Sequence, residues 1–332
     1  MNNHYKLMIP LLLSMAAGAQ DTTTNSYLQT SLVSDLSTVA PVTDAHLKNP
    51  WGLSRTANSF WWAADNGAGV STLYDGSGAV QTLVVKIPPA SGTGKGSPTG
   101  TVTVGSKFVF VTLDGTVQEW SSGKIAAIKV NNSTKGASYT GVTMAKNGTA
   151  LTLYVANRNG GVETYDATTF LPITLGAGAF TDPAIPAGYT PYGIQSVGAK
   201  VYVTFSNPTT AVGGYVDAFN TAGTLLLSLK TGTAGKFDQP WGIAQAPTGW
   251  GVFGNDILIG NVGSGWIGAY SATTGAFKGF LKNSSGQDIT IPGLWAIHFG
   301  GGTVNNGNTT SLYFAAGINN YADGLFGTIT PN

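Results

Sequence analysis

Four side chains stand where they could move a proton. Asp44 and His46 lie two positions apart, Asp65 closes an apolar run, and Asp182 follows Phe180-Thr181. A carboxylate or imidazole held against a reacting group serves as general acid or base, so these are the catalytic candidates. A second set would bind rather than react. Trp51, Tyr192, Trp241 and Trp295 offer flat apolar faces, and Asn66, Asn157, Arg158 and Asn261 offer amide and guanidinium groups. Aromatic platforms with a few polar partners suit a sugar, a peptide or a small aromatic compound. The same residues also have a packing reading, in which Trp and Tyr fill gaps between repeats and Asn and Asp close turns. Residue type alone leaves both readings open.

Several chemistries are excluded. The chain has no Cys, which removes disulfides, thiolate metal sites and thiol catalysis. Of its 3 His, His4 sits in the N-terminal segment, leaving His46 and His298; that pair cannot make a three-His zinc centre. No G-x-S-x-G elbow occurs, and Gly92-Thr93-Gly94-Lys95-Gly96-Ser97 lacks the spacing of a phosphate loop. Charged residues are 9% of the chain and the formal net charge is +1, which provides no field for nucleic acid. No metal or cofactor is expected. A structural calcium in an outer Asp or Asn turn is compatible with the sequence without being implied by it.

The elements that must position these residues are read from the ends inward. Residues 1–19 read as a secretory signal: Lys6, an apolar run from Leu7 to Ala17, then the small-x-small site Ala17-Gly18-Ala19. Residues 20–26 form a polar leader and residues 27–330 a single domain. The mature protein is expected to be secreted, periplasmic or on the cell surface, monomeric, and not inserted in a membrane.

Within the domain, Asn49-Pro50-Trp51-Gly52-Leu53 is the stretch that repeats. Pro-x-Gly-apolar returns at Pro98-Thr99-Gly100-Thr101, Pro191-Tyr192-Gly193-Ile194 and Pro240-Trp241-Gly242-Ile243, with weaker copies at Tyr139-Thr140-Gly141-Val142 and Leu294-Trp295-Ala296-Ile297. A period of roughly 50 residues belongs to propellers and solenoids. Each unit reads as four short strands separated by Asp, Asn and Gly turns. The last unit ends a strand short, and Tyr27 to Leu36 alternates like an edge strand that could complete it. The expectation is an all-β, six-bladed β-propeller with four-stranded blades, its ring closed by the N-terminal strand and almost free of helix.

At Trp62-Ala63-Ala64-Asp65 with Leu73-Tyr74-Asp75, and at Tyr154-Val155-Ala156-Asn157 with Thr164-Tyr165-Asp166, the chain resembles the NHL-type propellers. More closely it is similar to an uncharacterised family of secreted bacterial propellers. The similarity is carried by Leu32-Val33-Ser34-Asp35-Leu36, Asn49-Pro50-Trp51-Gly52-Leu53, Ser71-Thr72-Leu73-Tyr74-Asp75-Gly76, Phe180-Thr181-Asp182-Pro183 and Ala322-Asp323-Gly324-Leu325-Phe326-Gly327. Some members carry a C-terminal Pro-Glu-Pro sorting tail, absent here. The resemblance implies the fold and export but no activity. Six-bladed lactonase-like hydrolases hold calcium with Asn, Asp and Glu near the Pro-x-Gly position, where this chain has Trp, Thr, Thr, Tyr, Trp and Trp; Trp supplies no oxygen to a hard cation.

In such a ring, the turn before the first strand and the turn between the second and third open on one face. That face carries the aromatic and amide set around the channel mouth. The expected function is a non-enzymatic binding protein for a glycan, peptide or protein ligand. The alternatives are an extracellular hydrolase or lyase using Asp44, His46, Asp65 or Asp182, and a structural surface component.

Overall fold

Glycine at the third position of the repeat has a steric cause. In the computed structural model, which describes residues 24–210, 213–231 and 237–332, these glycines sit on the innermost strands, where neighbouring sheets converge. A Cβ on Gly52 would lie 2.6 Å from the Thr99 carbonyl oxygen, and one on Gly100 would lie 2.6 Å from the Val142 nitrogen. Gly193 and Gly242 press in the same way on the backbones of Trp241 and Trp295. Each glycine therefore lets one inner strand approach the next, and the repeat encodes the ring. The expected signal segment lies outside the described residues.

Six sheets result. Their inner strands are Pro50–Ser54, Pro98–Val104, Tyr139–Asn147, Thr190–Val197, Pro240–Gln245 and Leu294–Phe299. From each the chain meanders outward through antiparallel neighbours, as in Trp61–Asp65, Val70–Tyr74 and Val85–Lys86 of the first blade. Inner and second strands are buried on both faces, because blades stack on both sides of them. The core is consequently divided into clusters between adjacent blades, such as Trp62, Phe108 and Phe110 between the first two. The Trp62 and Phe108 rings stack at 4.0 Å.

Closure is as the sequence implies. Tyr27–Ser34 pairs antiparallel with Leu325–Pro331, from Tyr27 opposite Pro331 to Ser34 opposite Leu325. The Ser34 hydroxyl donates to the Gly324 carbonyl at 2.7 Å. The Tyr27 ring packs between Trp250 and Phe253, with centroids 4.6 and 6.2 Å away. Lys48 ties the same corner by pairing with Asp35 and, at 3.0 Å, with Asp323.

The third blade departs from the four-strand rhythm. Its sheet holds Tyr139–Asn147, Ala150–Asn157 and Gly161–Asp166. The following segment touches the outer edge at one bridge, Tyr165 opposite Pro172, where the Asp166 N–H donates to the Leu171 carbonyl and the Ile173 N–H to the Thr164 carbonyl, and the Thr164 hydroxyl donates to the Ile173 carbonyl at 2.6 Å. Then it turns away. Helix is confined among the described residues to two three-residue turns and to Ile318–Tyr321. The last is a left-handed turn, with φ of 52°, 55° and 67° at Asn319, Asn320 and Tyr321.

Candidate functional site

The Pro-x-Gly turns and the turns between second and third strands do open together. The Asn66 amide donates to the Pro98 carbonyl at 3.0 Å, joining the turn of the first blade to the entrance of the second. The Asn157 side-chain oxygen accepts from the Ser138 and Asn159 N–H groups, both at 3.0 Å. The Asn261 oxygen accepts from the Asp238 N–H at 3.0 Å. These three amides are engaged in holding turns.

The aromatic set lies inside the mouth and closes on itself. Trp51 stacks on Trp295 at 3.6 Å, while Tyr192 and Trp241 meet Trp51 edge-on at 6.3 and 6.4 Å. All four are at most 9% exposed and belong to one cluster. They plug the channel instead of lining an open tunnel. The Trp241 indole donates to the Thr140 carbonyl at 3.0 Å, and the Trp295 indole to Asn49 Oδ1 at 2.9 Å. Asn49 reaches that position from the left-handed region, φ 46°, which Asn tolerates better than most residues. Tyr321 leans on Trp295 from outside, its ring 5.7 Å away. Placing it there requires three successive non-glycine residues in the left-handed region, with the cost of roughly 1–2 kcal/mol falling mainly on Tyr321, a strain of the kind that gathers at binding sites.

Two donors at the plug are unused. The Trp51 indole N–H is buried without a partner, as is Arg158 Nε. The Arg158 guanidinium stands over the Tyr192 ring at 5.5 Å. No ion pair reaches Arg158 among the described residues.

Arg158 also borders a cleft of about 530 Å³ between the third and fourth blades, with Gly160, Gly161, Asp182 and Tyr189. A second cleft of about 750 Å³ continues along the outer edge of the third blade, past Val162, Glu163, Thr164 and Tyr165. The two share Thr181. The Val162 N–H and C=O point into this space, because alternate residues of a strand face alternate sides and the Thr164 carbonyl already bonds outward to Ile173. The floor of the larger cleft is a polar cluster. Glu163 Oε2 accepts from the Tyr139 and Tyr165 hydroxyls at 2.6 and 2.5 Å, and Oε1 accepts from the Asn157 amide at 2.6 Å. Burial pushes both tyrosine hydroxyls well above their ordinary range, so they remain donors to the carboxylate. Glu163 is thereby occupied, whereas Lys135 at the rim has no ion pair among the described residues and Lys129 leans on Phe170 at 5.8 Å while pairing with Glu119 at 3.3 Å.

Three of the catalytic candidates come together and the fourth does not. Asp44 Oδ1 lies 3.1 Å from His46 Nδ1, and its Oδ2 accepts from the Tyr74 hydroxyl at 2.9 Å. Asp65 Oδ2 accepts from the Thr72 N–H and hydroxyl at 3.0 and 2.8 Å. Burial, with Asp44 nearby, raises the Asp65 carboxyl well above the usual carboxylate range. Asp44 and Asp65 are buried, and none of the clefts described above includes them. Asp182 belongs to the insert beside the fourth blade, where it accepts from the Ala184 N–H at 2.8 Å. Its neighbour there is Asp217, whose carboxyl is pushed up to about 6 by burial and by Asp182. Asp217 sits inside Tyr215–Phe219 and reads in the sequence as an ordinary strand residue; the apolar residues flanking it were the available signal.

No protein-family model matches the chain. An uncharacterized protein of Acanthamoeba polyphaga mimivirus is 27% identical over 326 residues, covering 90% of this chain and 78% of its own length. Another from the same virus is 24% identical over 331 residues, covering 91% and 85%. Among solved structures, a streptogramin B lyase is similar with a TM-score of 0.55 at 14% identity, covering 92% of this chain and 97% of its own. A glucose dehydrogenase gives 0.57 at 11%, covering 91% and 98%. A protein of unknown function from Bacteroides thetaiotaomicron gives 0.57 at 12%, covering 92% and 76%. The chain is a six-bladed β-propeller. At these identities the structural likenesses concern the fold alone, and the resemblance to secreted bacterial propellers rests on its motifs.

Proposed function

We propose that this protein is an exported binding propeller whose ligand is an extended, acidic polypeptide segment laid along the third blade. The observation that carries the reading is the three-stranded blade, whose outer edge faces two connected clefts. An extended peptide adds to such an edge through main-chain hydrogen bonds, with side-chain pockets setting specificity. Lys129, Lys135 and Arg158 border the path while Glu163 is internally satisfied, which favours acidic side chains. At the cleft's inner end, the Arg158 guanidinium, which borders the cleft, supplies donors to whatever emerges toward the channel mouth. The aromatic set thus acts as a floor, with Trp241 and Trp295 committed to packing.

The test uses a fluorescein-labelled decapeptide of alternating Val and Glu, read by anisotropy. Binding should weaken at least tenfold with Val162→Pro, which removes one edge donor, and with Arg158→Ala. A backbone-N-methylated peptide and a Val-Lys peptide should both fail. Absence of binding by the Val-Glu peptide, or equal binding of its N-methylated form, overturns the reading.

Acid-base chemistry has one observation in its favour, the Asp182–Asp217 pair beside the smaller cleft. A buried carboxyl that keeps its proton, as Asp217 does, is suited to act as a general acid. The streptogramin B lyase and glucose dehydrogenase lend this reading only a shared fold. Turnover of a lactone or glycoside that Asp217→Asn abolished without unfolding would favour it over binding.

A further inference from the structure

The opposite end of the channel holds a cation that the binding reading leaves unused. Arg55 follows the inner strand of the first blade. Its Nε and Nη2 donate to the Phe299 carbonyl at 3.1 and 2.8 Å, and Nη1 donates to the Thr56 carbonyl at 3.4 Å. The guanidinium lies over the Trp61 ring, 5.4 Å from its centroid. No carboxylate pairs with it among the described residues. A partly buried guanidinium stays charged, and neutral carbonyls alone compensate it poorly.

The Phe299 carbonyl is also overdrawn. His298 Nδ1 lies 3.1 Å from the same Phe299 oxygen, so with Nδ1 protonated one oxygen faces three donors against two lone pairs. Next to this group is a cavity of about 210 Å³, to which Arg55, His298, Gln195 and Gln245 contribute polar groups and Val197 and Ile243 apolar walls. It gathers residues from four blades where their inner strands end. The narrow interior of the channel, bordered by Gly52, Gly100 and Gly242, separates it from the plug. At roughly 30 Å³ per water, the space is several waters in size.

We propose that this cavity binds a small organic carboxylate, with the anionic head on the Arg55 guanidinium and the apolar body against Val197 and Ile243. A planar fork of N–H donors matches a carboxylate in two-point contact. The single cation and the apolar walls favour one negative charge over the two of phosphate. The site is independent of the peptide cleft, since it opens at the other end of the channel and uses neither Arg158 nor the third blade.

The chain contains only two arginines, Arg55 and Arg158, which makes the test direct. Benzoate is titrated into ¹⁵N-labelled protein, with the arginine Nε signals assigned by Arg158→Lys and binding followed in parallel by calorimetry. The Arg55 signal should move and the Arg158 signal stay, with affinity in roughly the millimolar range. Val197→Trp fills the cavity while keeping Arg55 itself, and should weaken benzoate at least tenfold in a folded protein; Arg55→Lys should do the same. Benzyl alcohol, equal in body but uncharged, and inorganic phosphate should not compete. An unmoved Arg55 signal, unaltered affinity in Val197→Trp, or competition by benzyl alcohol or phosphate overturns the proposal. None of these outcomes bears on the peptide cleft.

Discussion

Asp217 shows what one buried carboxyl does to the stability of the whole ring. Its pKa rises from 3.8 to about 6, chiefly by burial and further by Asp182, so the folded protein retains a proton that the unfolded chain has released. The Asp217 contribution is therefore fully present below about pH 4, falls as pH rises through 4 to 6, and is lost above that, amounting to up to about 3 kcal/mol at 1.36 kcal/mol per unit. His298 runs the other way. Burial holds its pKa down to about 4, so its contribution is present above the unfolded value of 6.5 and is lost as pH falls toward 4. Comparing a variant with the parent isolates the first effect: Asp217→Asn should be more stable than the parent at pH 8 in urea denaturation, by 1–3 kcal/mol as a rough figure, and equal to it below pH 4. Sequence could nominate Asp182, which stands in a loop, but not its partner across the sheet, because the pairing of distant segments decides which carboxyls meet. The aromatic set was likewise legible in type and address. Whether four rings leave a hole or fill one depends on the radius of the strand circle, and here Trp51 and Trp295 come to 3.6 Å.

At the scale of the element, the inner strand was legible because its glycine has a steric cause. Gly193 abuts the Trp241 carbonyl of the next blade, and overpacking of this kind costs roughly 1–3 kcal/mol. Gly193→Ala should lower the midpoint of thermal unfolding measurably, while Gly176→Ala, with nothing within 4 Å of the added carbon, should leave it nearly unchanged; circular dichroism melts compare the two. The third blade was not legible in the same way. Thr164 to Pro172 carries turn residues and apolar residues like those of its sister blades, so pattern alone predicts a fourth strand. The Leu171 carbonyl and Ile173 N–H do begin one, but the insert leaves it to border the cleft with Leu175 and Thr181. Loop length, which the sequence did display between Leu175 and Thr190, is what interrupts the rhythm.

The molecule as a whole depends on one long-range pairing. Each of the other sheets is built from a contiguous stretch of chain, whereas the sixth joins Tyr27–Ser34 to Leu325–Pro331. Removing residues 24–36 should open the ring at that seam, bare the edge of Leu325–Pro331 and remove Tyr27 from between Trp250 and Phe253. The expected result is aggregation or a large drop in melting temperature, beyond the roughly 3–5 kcal/mol associated with losing one buried aromatic side chain. Size-exclusion chromatography with light scattering and a thermal melt would check it; a monomer with an unaltered melt would contradict the closure described here.

That seam also dictates when the protein can be finished. Ser34 and Gly324, whose hydroxyl and carbonyl meet, are 290 positions apart. The strand Tyr27–Ser34 therefore has no mate until Leu325–Pro331 is also free to pair, and the circle stays open until then.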